Sequence, residues 1–353
     1  MTATGAETAT PQPPTTQGAQ LVPSPAPQTP AKPGRWWVSP VLALLLMSPI
    51  VGEVLSGSSP PLEFINPISI FMLLGLYGCG ALLVREAVVR WGKGWPSLLA
   101  LGLAYGVLEE GVMVKSWISP EWMDLGDMAW FGRWGGMNWV WAEMLTLFHA
   151  VISIYIAILL VHLLFPGRRH EPWLVGRGLR WVSAWFVGVV AIGIVGFPPF
   201  PPPAAQWLFV VMLTLFLVAL AWRLPARLPL PARRETPSPS AFVALGAAWS
   251  WGLFLGFWSS PSTGLHAAAV MAIMAVHSAV VGLLLVWMSG GGAAWRDRHR
   301  LAFAAGVLSF LLFLDVATGI GNPLSLMWLA AIGGALLLWR LDRGTSPAVS
   351  VIP

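Results

Sequence analysis

The sequence predicts an all-α, polytopic transmembrane helical bundle with about ten spanning helices and both termini cytoplasmic. Three observations predict it. Of 353 residues, 56% are hydrophobic and only 10% are charged, whereas a soluble domain carries roughly 25% charged residues. The apolar residues gather into runs of about 20, each long enough to cross a bilayer as a helix. The basic residues fall almost wholly on alternate sides of those runs.

Residues 1–34 are rich in Pro, Thr, Ala and Gln and hold few large apolar side chains, so burial cannot offset their chain entropy. They read as a disordered cytoplasmic tail. Lys32 and Arg35 then precede an apolar stretch that reads as an uncleaved first helix, because the polar lead-in is long and no clear A-x-A cleavage site follows. A transmembrane domain over 35–343 is predicted, with spans near 36–56, 66–88, 95–116, 138–165, 179–197, 205–223, 240–258, 264–288, 301–319 and 323–341. Residues 344–353 read as a short cytoplasmic tail. A bilayer core cannot hydrogen-bond a bare backbone, and no alternating ten-residue pattern suggests a barrel, so these runs are predicted helical.

Charge tests the count. With the amino terminus inside, 18 of the 20 Lys and Arg residues fall on the cytoplasmic side, leaving only Lys115 and Arg133 outside. A miscounted span would invert every later loop. Many of the 22 Trp lie at predicted span ends, among them Trp181, Trp258, Trp287 and Trp339, where an indole buries its ring and wets its N–H. The outer segment 117–137 carries Glu121, Asp124, Asp127 and Arg133 among Trp, Gly and Met, and reads as a folded cap. The Pro-rich turn at 197–203 reads as a stiff outer connection.

The net charge of +5 is explained by basic clusters at helix ends, so no nucleic-acid partner is expected. The predicted partners are the lipid bilayer and a membrane peptide or small-molecule substrate. The predicted location is the cell (inner) membrane. The single Cys79 excludes an intramolecular disulfide and a cysteine metal site.

Ionisable groups within spans are costly and usually face the bundle interior, so they are the places to look for function. Arg85 and Glu86 lie near an inner end, where Arg85 can snorkel and the pair reads as structural. Glu53, Lys115, Glu143, His266 and Asp315 lie toward the outer surface and read as interfacial. The third span differs. Its segment LGLAYGVLEEGVMVKSW puts Gly102, Gly106 and Glu110 on one helix stripe, where small residues let a neighbour approach. Glu109 stands about 100° away. The fourth span carries His149 about 16 Å from its outer end, with Ser153 one turn further on. His277 lies at similar depth in the eighth span. Glu109, Glu110, His149 and His277 are the candidate catalytic residues.

These segments resemble the CAAX-protease and bacteriocin-processing family of intramembrane glutamic proteases, over residues 95–153. The family pattern runs EExxxR, then FxxxH, then HxxxN or HxxxD. Glu109 and Glu110 match the pair, with Val114 at the Arg position and Lys115 one residue late. His149 matches the second motif, with Leu145 in place of Phe. His277 stands for the third histidine, with Val281 replacing Asn. The resemblance implies that Glu109 or Glu110 activates a water while His149 and His277 steady the oxyanion, with no metal and no cofactor.

Two function classes lead at the level of sequence, with a non-catalytic scaffold and a polyprenyl-lipid or glycan enzyme also open. One is an intramembrane glutamic-type peptidase. The other is a proton-coupled or small-molecule transporter with the same Glu and His residues along its pathway, as five plus five spans would allow. A divalent-metal site at Glu110, His149 and His277 lacks the H-E-x-x-H or H-x-x-E-H spacing.

Overall fold

The computed structural model describes residues 1–2, 39–123, 125–196, 201–227, 236–290 and 295–345. The chain divides into two units, Met1–Arg35 and Trp36–Pro353, and the second contains every element described here. The predicted tail lies outside the described residues from residue 3 onward. So do Asp124, part of the Pro-rich turn and the end of the carboxyl-terminal tail.

Ten long helices stand among the described residues, one in each of the ten predicted segments. They are α1 (Pro40–Val54), α2 (Pro67–Arg90), α3 (95–113), α4 (Trp139–Leu164), α5 (Arg177–Gly196), α6 (Ala204–Arg223), α7 (Pro239–Ser259), α8 (Ala267–Met288), α9 (Asp297–Gly321) and α10 (Met327–Thr345). The protein is a helical membrane bundle. Seven helices, α2 and α4 to α9, are long and apolar enough to cross a bilayer. The other three fall outside that class. Helix α1 is shorter, α3 carries Glu109 and Glu110, and α10 ends in Arg340, Asp342 and Arg343.

Local signals set where these helices begin. Ser39 accepts from the Leu42 amide ahead of Pro40, Asn66 accepts from Ile68 ahead of Pro67, and Asn138 accepts from Trp141. Each supplies an acceptor to an amide that the helix cannot satisfy itself, and proline at the first turn costs no helical hydrogen bond.

Hydrocarbon supplies no hydrophobic drive between helices, so close backbone packing must hold the bundle. Glycines provide it. A Cβ at Gly246 would lie 2.4 Å from the Phe303 carbonyl oxygen, and one at Gly306 2.2 Å from that of Val243, so α7 and α9 meet backbone to backbone. A Cβ at Gly78 would lie 2.3 Å from the Leu45 carbonyl oxygen, which joins α2 to α1 in the same way. Helices α5, α6 and α8 bury little, and side chains such as Val187, Phe216 and Leu283 face outward, as lipid-facing helices require. Trp181, Trp258, Trp287 and Trp339 also expose their rings.

One sequence expectation is corrected. Arg85 does not snorkel; it is 1% exposed. Its guanidinium donates to Glu86 at 2.6 Å and to the carbonyls of Arg168 and Arg169, and it lies 3.7 Å over the Trp173 ring. Those carbonyls satisfy it within the protein, so it clasps α2 to the loop after α4. Lys115 is also buried. It takes a left-handed φ of +61° as the chain leaves α3 and donates to the Ile194 carbonyl at 2.7 Å.

The described residues of 117–138 fold as a cap. Strands β1 (Arg133–Trp134) and β2 (Met137–Asn138) pair antiparallel. Trp117, Ile118, Leu125, Met128 and Met137 are buried. Arg133 donates to the carbonyls of Ala129, Ile118 and Ser119, and Asn138 Nδ2 donates to that of Met128.

Candidate functional site

Four helical stretches among the described residues widen from α- to π-helical geometry: 50–54 in α1, 74–78 in α2, 107–113 in α3 and 149–156 in α4. Such stretches are rare and gather at functional positions. Each carries a residue of one cluster. Glu53 comes from the first, Tyr77 from the second, Glu109 and Glu110 from the third, and His149 with Ser153 from the fourth.

Side chains satisfy backbone carbonyls within the widened turns. Ser56 donates to the Glu53 carbonyl, Ser116 to that of Glu110, Trp207 to that of Val112, and Ser48 to that of Ser153. In hydrocarbon such compensation is what lets irregular helix persist.

His149 is the centre. Its Nε2 lies 3.0 Å from Glu110 Oε1, and its Nδ1 lies 3.3 Å from Glu109 Oε2 and 3.2 Å from Ser153 Oγ. All these groups are buried. The other Glu110 oxygen, Oε2, accepts from the Ser116 hydroxyl, which in turn accepts from Trp141 Nε1 at 3.1 Å. Glu110 is thus held at both oxygens. Glu109 is not: its Oε2 makes no hydrogen bond of ordinary geometry, although the Tyr77 and Tyr105 phenols both act on this carboxylate. The buried Tyr105 hydroxyl likewise has no such bond. Tyr77 instead donates to Glu53, whose other oxygen accepts from Ser59 at 2.9 Å. The rings of Tyr77 and Tyr105 stand 5.8 and 6.1 Å from the imidazole.

The glycine stripe places this contact. A Cβ at Gly102 would lie 2.9 Å from the Ala150 carbonyl oxygen, and one at Gly106 3.1 Å from His149 Cβ, so α3 rests directly on α4. Any larger side chain would separate the carboxylates from the ring.

Of the sequence candidates, Glu109, Glu110 and His149 come together and His277 does not. Its Nε2 lies 3.2 Å from the Trp249 carbonyl, and its ring packs against Gly252 on α7 beside a separate cavity of about 190 Å³. Helix α8 packs on α7 and α4, which keeps its histidine with α7. Glu53, expected at the interface, joins the cluster through Tyr77. Sequence reasoning passed over Tyr77 and Tyr105, for which no motif stands as a signal; the two are among only three tyrosines in the chain.

Glu109, Glu110 and His149 can each offer one ligand atom within 4.8 Å of the others, the spacing a metal ion would need. Two ligands at about 2.0–2.2 Å from one zinc ion stand roughly 3–3.5 Å apart, so the separations of 3.0 and 3.3 Å fit a shared ion as well as direct hydrogen bonds. As an acid–base device the arrangement needs no ion. An anchored carboxylate (Glu110) holds an imidazole, and the imidazole faces a second, less satisfied carboxylate (Glu109) beside a phenol hydroxyl.

No curated protein and no solved structure matches the chain. One family, described as an uncharacterized membrane protein family, matches over residues 42–346. That stretch holds every residue of the cluster and runs from the first turn of α1 to the end of α10, so the chain belongs to this uncharacterized membrane protein family.

Proposed function

We propose that this multi-pass membrane protein is an intramembrane hydrolase of the glutamic type, cleaving a peptide bond carried into the bilayer. The observation that supports the reading is the buried Glu110–His149–Glu109 bracket set in widened turns of α3 and α4. The resemblance to the CAAX-protease and bacteriocin-processing family agrees at Glu109, Glu110 and His149, although its third histidine has no counterpart in the cluster.

Peptide hydrolysis needs a base for water and a donor for the developing oxyanion. Glu109 takes the water proton, since its carboxylate is the one left incompletely satisfied. The hydroxide adds to the carbonyl carbon, and the Tyr105 hydroxyl donates to the oxygen that becomes negative. The C–N bond then breaks as Glu109 returns its proton to the leaving amine. His149 is a positioning residue, held by Glu110 so that its other nitrogen orients Glu109. Because the cluster is buried among apolar helices, the substrate is an apolar segment.

The test compares membranes from cells carrying the wild-type protein and Glu109→Gln by quantitative mapping of new peptide termini. Cleavage sites within predicted membrane segments should appear with the wild type and vanish with the variant. Identical termini in both would overturn the reading.

A second reading, proton-coupled transport, is favoured by the continuity of the polar chain Ser59–Glu53–Tyr77, which leads through the Glu109 and His149 contacts to Glu110 and Ser116. Proteoliposomes that pass protons with the wild type but not with His149→Ala, and yield no cleavage, would select it.

A further inference from the structure

A second cavity, of about 860 Å³, opens on another face of α4. Along α4 it is lined by Leu147, Val151, Tyr155, Ile158 and His162, spaced as one helical stripe, whereas His149 and Ser153 point to the α3 side. Leu98, Leu99 and Leu103 of α3 and Val281 and Leu285 of α8 complete an apolar shaft.

One end of the shaft is cationic. Lys93, Arg169, Arg227 and Arg300 line it, with His162 and His170 beside them, and among the described residues no Asp or Glu lines it. Asp297 is the near carboxylate, and it is taken: Arg169 grips it at 2.8 and 2.6 Å and Arg300 reaches it at 3.4 Å. The Arg300 Nε and His162 Nε2 atoms are nevertheless buried without a hydrogen-bond partner. An apolar shaft of this volume under surplus positive charge matches one kind of molecule, an amphiphile with an anionic head. Gly282 of α8 lines the cavity and leaves free space there: a Cβ placed on it would meet nothing within 4 Å. The shaft rewards a hydrocarbon chain, whereas a soluble anion gains nothing from it.

We propose that this cavity is a binding site for an anionic phosphate-bearing bilayer lipid, with its hydrocarbon chain in the shaft and its phosphate on Arg227 and Arg300. The site is distinct from the Glu–His cluster and does not depend on the hydrolase reading.

The full-length protein, purified in detergent, is titrated with phosphatidylglycerol and with phosphatidylcholine of the same chains, and lipid adducts are counted by native mass spectrometry. Phosphatidylglycerol should be retained at least tenfold more tightly. Arg227→Gln combined with Arg300→Gln should remove that preference, while Gly282→Phe, which puts a ring into that free space, should lower retention of both lipids; thermal unfolding of each variant checks its fold. Glu109→Gln should retain lipid as the wild type does. Equal retention of the two lipids, a preference that survives the double substitution, or displacement of the lipid by millimolar inorganic phosphate would overturn the proposal.

Discussion

Oε1 of Glu110 lies 3.0 Å from Nε2 of His149, 39 residues away in sequence. The preceding residue, Glu109, brings Oε2 to 3.3 Å from the opposite ring nitrogen. In an α-helix consecutive side chains diverge by about 100°. A π-helical turn holds more residues and narrows that angle, so two adjacent carboxylates can reach one imidazole from both sides.

Glu109→Gln keeps the shape and removes the base. Cleavage by the purified variant should fall by about 10²–10⁴-fold, with the unfolding midpoint near that of the wild type. Glu110→Gln loses a charged hydrogen bond to His149 worth about 2 kcal/mol, which converts to roughly thirtyfold in rate. A Glu109→Gln enzyme with full activity would remove Glu109 from the chemistry.

Ser116 is both donor to Glu110 and acceptor for the Trp141 N–H. Ser116→Ala therefore leaves the buried indole N–H unpaired and should cost about 1–3 kcal/mol of stability. Adding Trp141→Phe removes the stranded donor, so the double variant should be less unstable than the sum of the singles. Strict additivity in denaturation would deny the link.

At Gly52 an added Cβ would lie 2.8 Å from both Ser153 Oγ and Tyr77 Cε1. Gly52→Ala should thus spread α1, α2 and α4 at the cluster, lowering stability by about 1–3 kcal/mol and cleavage with it. Gly256→Ala, at a position with nothing within 4 Å, is the control and should match or exceed wild-type stability. Equal thermal midpoints for Gly52→Ala and the wild type would contradict this packing.

Chelation separates acid–base from metal chemistry. Cleavage should persist after dialysis against EDTA or 1,10-phenanthroline, because the proposed base is the Glu109 carboxylate itself and the proposed oxyanion donor is the Tyr105 hydroxyl. Activity lost to chelator and restored by zinc would instead make Glu109, Glu110 and His149 ligands.

Arg133 holds three carbonyls of the cap. Arg133→Ala leaves those acceptors short of a charged donor, and limited proteolysis within 117–137 should accelerate about tenfold relative to the wild type, consistent with a loss of about 1.4 kcal/mol in local opening. Unchanged digestion would show that the buried Trp117, Leu125 and Met128 hold the cap unaided.

The helical membrane bundle was legible in the chain, and the carboxylate pair and His149 stood out in it as candidates. An apolar run sufficient for a bilayer is a property of consecutive residues, and an acid or imidazole within one stands out by its cost. Which of those groups would meet was not legible. Glu53 reads as interfacial until Tyr77 links it to Glu109, and His277 reads as a partner of His149 until α8 docks on α7 and leaves it with Trp249. Helix rotation and neighbour choice depend on close backbone approaches such as Gly102 on Ala150, and the widened turns shift side-chain direction in a way that hydropathy does not encode. Length and apolarity along the chain therefore determined the bundle, while contacts between segments far apart in sequence decided the composition of the cluster.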